Sequence, residues 1–283
     1  MKIKVSELFY SIQGEGRYMG VPSVFLRTFG CNFTCDGFGM PRGQKSTARD
    51  IIASEIQTFK VYKDLPLVHT GCDSYASWDP RFKDLSPLLT TDSIAESICA
   101  MLPNKHWERE HLVITGGEPL LGWQRAYPEL LEHPKMAALK ELTFETNGTQ
   151  PLSEELYDYL DNRWLGSVRN SDQLTFSVSP KLSGSGELWT DAIKPDVVCK
   201  YEQLGYTYLK FVVATEGDVE EALLAKKEYR QHGFEGPIYI MPVGGVDDIY
   251  YLNNRRVAAL AMKYGLRYSD RLQVPLFKNA WGT

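Results

Sequence analysis

No stretch of this sequence stays apolar for long enough to span a bilayer. The opening Met1-Lys2-Ile3-Lys4-Val5 turns polar at once, unlike a secretory leader. No membrane location is expected, and the cytoplasm is the default. Cysteine is scarce as well. Five cysteines in 283 residues are too few for a disulfide framework, and their odd number suits a reducing compartment. No long basic run occurs and the formal charge is −5, so a broad nucleic-acid surface is not expected. What remains is ordinary for a globular chain, with 43% hydrophobic and 24% charged residues. Such a chain can bury one sizeable core, as a single α/β domain or as a domain carrying an insertion.

Three of the five cysteines fall between Arg27 and Asp73. Arg27-Thr28-Phe29-Gly30-Cys31-Asn32-Phe33-Thr34-Cys35 follows an apolar strand at Val24, Phe25 and Leu26. The C-x3-C pair therefore sits at a strand's C-terminal end, where α/β folds place their chemistry. Two soft thiolates at that spacing want a third ligand before they hold an iron–sulfur cluster or zinc. Cys72, in Thr70-Gly71-Cys72-Asp73-Ser74, is a candidate. His69, three positions earlier, also invites a metal reading, although a lone histidine is more often a plain surface or core residue.

Elsewhere short β-branched strands alternate with helical patterns. Glu7 to Ile12 reads as a strand entering a glycine-rich turn, Gln13-Gly14-Glu15-Gly16. A short helix is expected around Ala48 to Phe59. Thr91 or Asp92 is expected to cap a helix carrying Ile94, Ile98 and Met101, with Cys99 packed beside its buried face and an end before Pro103. Leu112 to Thr115 runs into Gly116-Gly117-Glu118-Pro119, and Leu142 to Phe144 into Glu145-Thr146-Asn147-Gly148. Further strands are read at Leu174 to Val178, before Ser179-Pro180-Lys181, at Leu209 to Val213, and at Ile238 to Pro242. Asp218 with Glu221 reads as a capping box for a helix through Tyr229. A last helix from Asp247 carries Ile249, Leu252, Val257, Leu260 and Met262 to a stop at Gly265. Cys199 falls in a loop-rich stretch with no partner motif. The alternation implies a parallel sheet with right-handed crossovers, best met by an open (β/α) barrel. The apolar, aromatic C-terminal stretch ending Ala280-Trp281-Gly282-Thr283 reads as docked, not frayed.

These motifs, in this order, resemble the 7-carboxy-7-deazaguanine synthase family of radical S-adenosylmethionine (SAM) enzymes. One departure is plain: the superfamily pattern C-x3-C-x2-C is broken, since Phe38 stands where the third cysteine belongs. The string Cys72-Asp73-Ser74-Tyr75-Ala76-Ser77-Trp78-Asp79 resembles the residues from the family's third cysteine onward. Residues 36–71 therefore read as an insertion in the cluster loop of a single domain, 1–283. The resemblance implies a partial, open (β/α) barrel of the radical SAM type. It implies a [4Fe-4S] cluster on Cys31, Cys35 and Cys72, with one iron open for SAM. It also implies Mg²⁺ on Ser74, a pterin substrate at Ile12, Gln13, Gly14, Glu15, Arg27, Thr115 and Thr283, and SAM at Gly71, Asp73, Gly117, Glu118, Glu145, Asn147, Ser179, Pro180 and Lys181. By side-chain type, Arg27 suits the substrate carboxylate, Gln13 and Glu15 the pterin edge, and the Glu118 carboxylate the ammonium group of SAM.

The implied reaction turns 6-carboxy-5,6,7,8-tetrahydropterin into 7-carboxy-7-deazaguanine with loss of ammonia, for queuosine-type 7-deazapurine biosynthesis. It starts when SAM is cleaved to a 5′-deoxyadenosyl radical that abstracts hydrogen from the substrate. An electron donor such as flavodoxin or ferredoxin and a homodimer are expected on the same grounds. Two rivals stand beside this reading. A glycyl-radical activase would use a similar barrel but gives no reason for Gln13, Glu15 and Arg27. A zinc module on Cys31, Cys35, Cys72 and His69 leaves Gly116 to Glu118 and Ser179 to Lys181 unexplained.

Overall fold

The computed structural model describes residues 1–166 and 169–283. The chain opens with β1 (Lys2–Ile12) and β2 (Pro22–Thr28), then α1 (Ala48–Ser54). Next come β3 (Leu88–Thr90), α2 (Thr91–Met101), β4 (His111–Gly116), α3 (Tyr127–Leu131), β5 (Glu141–Thr146) and α4 (Glu154–Tyr159). The second half holds β6 (Leu174–Val178), α5 (Trp189–Ala192), α6 (Pro195–Leu204), β7 (Tyr206–Val213), α7 (Glu216–Gln231), β8 (Ile238–Pro242), α8 (Asp247–Tyr264), β9 (Arg267–Tyr268) and α9 (Gln273–Phe277). The strands form one nine-stranded sheet in the order β3-β1-β2-β4-β5-β6-β7-β8-β9. From β2 to β9 every pair is parallel, while β1 runs antiparallel to both β2 and β3. This is a partial (β/α) barrel, open and mixed at one edge.

The period of two along each strand divides the sheet into two environments. Outward residues such as Val24, Leu26, Leu112, Ile114, Leu142 and Phe144 join helix residues, among them Ile94, Ile98 and Leu130, in the main core. Inward, Phe9, Phe25 and Val113 form a small separate plug, with Phe9 and Phe25 stacked at 4.8 Å. One pleat further toward the C-terminal ends of β2 and β4 the register sets Glu7 against Arg27 and Arg27 against Thr115. The inner face therefore changes from apolar to polar within one layer. That change builds the floor of a polar site.

Several local expectations need correction. The helix anticipated through Phe59 stops at Ser54, and a 3-10 turn at Ile56–Thr58 replaces its last turn. Helix α2 is capped by Thr90, whose hydroxyl accepts from Ser93 N. Thr215, not Asp218, caps α7, with Asp218 as the third residue of that box. Cys199 lies on α6. Leu252 and Met262 are solvent-facing, at 74% and 79% exposure, because the buried stripe of α8 runs through Tyr250, Val257, Leu260 and Ala261. No helix is long and apolar enough to cross a membrane among the described residues.

His111 opens β4 fully buried, between Ser23 Oγ at 3.1 Å and Thr143 Oγ1 at 2.7 Å. Burial, aided by the nearby Arg17 cation, pushes its imidazole down to about 3. A histidine held neutral in this way contributes stability that is full above its ordinary value near 6.5 and is lost as pH falls toward the lowered one. Denaturant titrations should show His111→Asn losing less stability than wild type between pH 6.5 and pH 4. The wild-type penalty is at most about 1.4 kcal/mol per pH unit. Equal slopes would remove His111 as the cause.

Candidate active site

At the C-terminal ends of the parallel strands lies a cavity of about 260 Å³. It is lined by Cys31, Cys35 and Cys72, by Ile12, Gln13, Gly14, Glu15, Arg27, Ser74, Thr115 and Thr283, and by Gly71, Asp73, Gly117, Glu145, Asn147, Ser179 and Lys181. Two expected residues do not line it. Glu118 is fully buried, and its carboxylate accepts from Asn147 N at 2.6 Å, Thr146 Oγ1 at 2.8 Å and Leu120 N at 3.0 Å. It therefore braces the ends of β4 and β5. Burial pushes this carboxyl up to about 7, against the backbone N–H donors that favour its ionised form. Pro180 is also buried, outside the lining.

The cysteine loop is held from several sides. Gly30 donates to Ser77 O and accepts from Glu118 N, at 2.8 and 2.7 Å. Gly117 must be glycine for this seating, because a Cβ there would meet Gly30 O at 2.5 Å and Cys31 Cβ at 2.7 Å. Cys35 takes a left-handed backbone, φ 51°. The Glu187 carboxylate secures that conformation by accepting from Cys35 N at 2.7 Å and Thr34 N at 2.9 Å. Cys72 arrives from the far end of residues 36–71, on a turn opened by Gly71 at φ 82°. Burial pushes the Cys31 thiol up to about 12 and the Cys72 thiol to about 11, and it also raises Cys35 well above the ordinary thiol value. Left bare, these thiols stay protonated at neutral pH, which is how soft ligands behave before a metal displaces their protons.

On the other wall, Arg27 donates from Nε to Glu7 Oε2 at 2.9 Å and from Nη1 to Ser74 Oγ at 3.3 Å. Gln13 Nε2 donates to Glu145 Oε1 at 3.0 Å, and Gln13 Oε1 accepts from Glu15 N at 3.0 Å. The Glu15 carboxylate, expected at the pterin edge, is already engaged. It binds Lys210, Arg271 Nε at 3.2 Å and Gln273 Nε2 at 2.8 Å. Burial alone would raise this carboxyl, and the two cations reverse it and hold it well below the usual range. Among the described residues, the buried atoms Glu7 Oε1, Ser177 Oγ and Gln273 Oε1 of cavity-lining side chains have no hydrogen-bond partner. Such orphans suit a polar ligand.

Glu7, Lys210, Arg271, Gln273 and Glu187 were missed in the sequence. Glu7 was legible in principle, as a carboxylate two residues from Phe9 on one strand face. The others lie far away in sequence and carry no local motif.

Residues 36–71 pack as their own small core of Ile52, Tyr62, Leu65 and Val68 against Tyr75 and Phe82. The C-terminal tail closes on it. Trp281 donates Nε1–H to Leu65 O at 2.7 Å and meets the Tyr62 and Tyr75 rings edge-on. Ala280 to Thr283 then line the cavity. His69 also touches the cavity rim but is mostly exposed, 4.0 Å from Asp248. Among the described residues no three of His, Cys, Asp and Glu converge on one metal ion.

An open (β/α) barrel with three thiols at the C-terminal mouth of its sheet defines the radical SAM class of enzyme. The comparisons agree. No family model matches the chain. A 7-carboxy-7-deazaguanine synthase of Halobacterium salinarum is 31% identical over 290 residues, covering 98% of this chain and 91% of that protein. Proteins of the same name from Pyrobaculum aerophilum and Leptospira interrogans are 27% and 24% identical, covering 99% and 100% of this chain. The crystal structure of QueE from Escherichia coli matches the fold with a TM-score of 0.53, at 20% identity, over 95% of this chain and 94% of that one. The chain belongs to the 7-carboxy-7-deazaguanine synthase family.

Proposed function

We propose that this chain converts 6-carboxy-5,6,7,8-tetrahydropterin into 7-carboxy-7-deazaguanine with release of ammonia. The observation that carries the reading is the joint lining of one cavity by Cys31, Cys35 and Cys72, by the oriented guanidinium of Arg27, and by the turns at Gly117, Asn147 and Ser179. Cys31, Cys35 and Cys72 would hold the [4Fe-4S] cluster, and residues 36–71 would be an insertion between its second and third ligands. The cluster and SAM together supply a one-electron cleavage that yields a hydrogen-abstracting carbon radical.

The rest falls to the protein. Arg27 binds the substrate carboxylate through its planar fork. Gln13, Gly14, Ile12, Thr115 and Thr283 orient the ring. Gly71, Asp73, Gly117, Glu145, Asn147, Ser179 and Lys181 receive SAM. The tail, pinned by Trp281, excludes the water that would quench a radical. Ser74, between Arg27 and Asp73, would offer Mg²⁺ a single hydroxyl, the remaining octahedral positions being filled by substrate oxygens and water. A flavodoxin or ferredoxin would supply the electron, and the working unit would be a cytoplasmic homodimer that engages no nucleic acid.

The test is anaerobic reconstitution with iron and sulfide, followed by incubation with SAM, Mg²⁺, a reductant and the carboxypterin, with products read by mass spectrometry. The expected product is 7-carboxy-7-deazaguanine. SAM cleavage without it would retain the class and discard the substrate.

A further inference from the structure

Trp78 sits against the cysteine loop with its indole N–H donating to Cys72 Sγ at 3.3 Å. A buried indole commonly finds an acceptor, yet this fold does not insist on one: the buried N–H groups of Trp107 and Trp164 have no partner among the described residues. The partner chosen at Trp78 is the third cluster ligand. Above the same ring lies Arg49 of α1, its guanidinium carbon 4.7 Å from the ring centroid. Arg49 is held there by Asp36 at 3.0 Å and Asp79 at 3.4 Å. Both carboxylates are buried, Asp36 at 7% and Asp79 at 3% exposure. Residues 36–71 thus do more than lengthen a loop. They deliver a cation to the ring whose N–H touches a ligand sulfur.

We propose that Trp78 and Arg49 are tuning residues that raise the electron affinity of the cluster bound through Cys72. The inference rests on the ligand set given above. Reduction adds one electron, and the added negative charge spreads onto the ligand sulfurs. An N–H aimed at Cys72 Sγ therefore stabilises the reduced state more than the oxidised one. A guanidinium on the indole face withdraws electron density and makes that N–H a better donor. It also neutralises Asp36, which would otherwise oppose reduction, while Asp79 is shared with Arg81.

The test is a potentiometric titration of the reconstituted holoprotein with dithionite, the reduced cluster being counted by electron paramagnetic resonance, in wild type, Trp78→Phe and Arg49→Gln. Trp78→Phe keeps the ring and removes only the donor. At a set potential its reduced-to-oxidised ratio should be roughly tenfold lower than wild type, which is about 59 mV for a one-electron couple. Arg49→Gln should shift the same way. Iron and sulfide content should match wild type in both, which a merely structural role would not predict alongside a moved potential. Full cluster loading with an unmoved midpoint in Trp78→Phe would overturn the proposal. If Trp78→Phe fails to fold or to take up iron, Arg49→Gln decides, since it leaves the indole in place: a negative shift supports the proposal, and no shift overturns it. A wild type that takes up no cluster would overturn the ligand set, and this inference with it.

Discussion

Cys72→Ala, reconstituted beside wild type, is expected to lose its cluster and with it all measurable product. The loss should exceed the roughly 10–100-fold cost of removing an outer partner of a metal ligand, because one of three protein bonds to the cluster disappears. Two companions make the result specific. Cys199→Ala should load iron normally, since Cys199 lies on α6 with its thiol toward His232 O. His69→Ala should also load normally, because the His69 side chain is mostly exposed at the rim beside Asp248. Anaerobic absorbance, iron content and product yield are the readouts. A Cys72→Ala protein that keeps its cluster and turnover would remove Cys72 from the ligand set. A His69→Ala protein that loses its metal would revive the tetrahedral alternative.

That experiment also measures what the sequence allowed one to read. The strands and their order were legible because their signals are local. Leu112 to Thr115 is β-branched and apolar, and Gly116-Gly117 ends it. The reading of Cys72 as the third ligand rests on the string after it, which resembles a family pattern across residues 36–71. Its approach to Cys31 and Cys35 follows from how residues 36–71 fold back, through Gly71 N to Phe38 O and Ser46 N to Asp36 O. Other features lay out of reach. Glu15 belongs to the opening motif, but which way its carboxylate turns is decided by Lys210 on β7 and Arg271 near the end of the chain. Glu118 sits in a motif, yet the donors that consume it come from Thr146 and Asn147. Motif residues can be named from sequence, whereas the direction of a buried side chain depends on charges that converge from distant strands. The capping errors have a more local cause: Thr90 and Thr215 were each overlooked in favour of an acidic residue or hydroxyl a step or more inside the helix.

Arg271 shows how much such a distant charge can hold. It follows β9, is 8% exposed, and bonds Glu15 Oε1 at 3.2 Å, Asp73 Oδ2 at 2.7 Å and the Gly244 carbonyl. One guanidinium therefore ties the Gln13-to-Gly16 turn, the residue after Cys72 and the end of β8 into a single wall. Arg271→Met would leave Glu15 with Lys210 as its remaining cation and Asp73 with none of its direct bonds to this side chain. Removing one partner of a buried ion pair costs about 3–5 kcal/mol, and Asp73, about a third exposed at 36%, adds less because water screens it. In a chain of this size the fall in Tm should be on the order of 10 °C. The pH dependence separates charge from packing. In wild type, burial would raise both carboxyls, but the facing cations keep them below their usual range. Their stabilisation is present above the ordinary carboxylate value near 4 and lost as pH falls through the lowered values. In the variant burial is no longer fully opposed, so an ionised Asp73 becomes a cost that acid relieves. Denaturant titrations should therefore show the gap between wild type and Arg271→Met narrowing from pH 7 toward pH 4, with Asp73→Asn in the variant background recovering part of the loss. A gap that stays constant over that range, with no recovery in the double variant, would mean that Arg271 acts by packing and its bond to Gly244 alone.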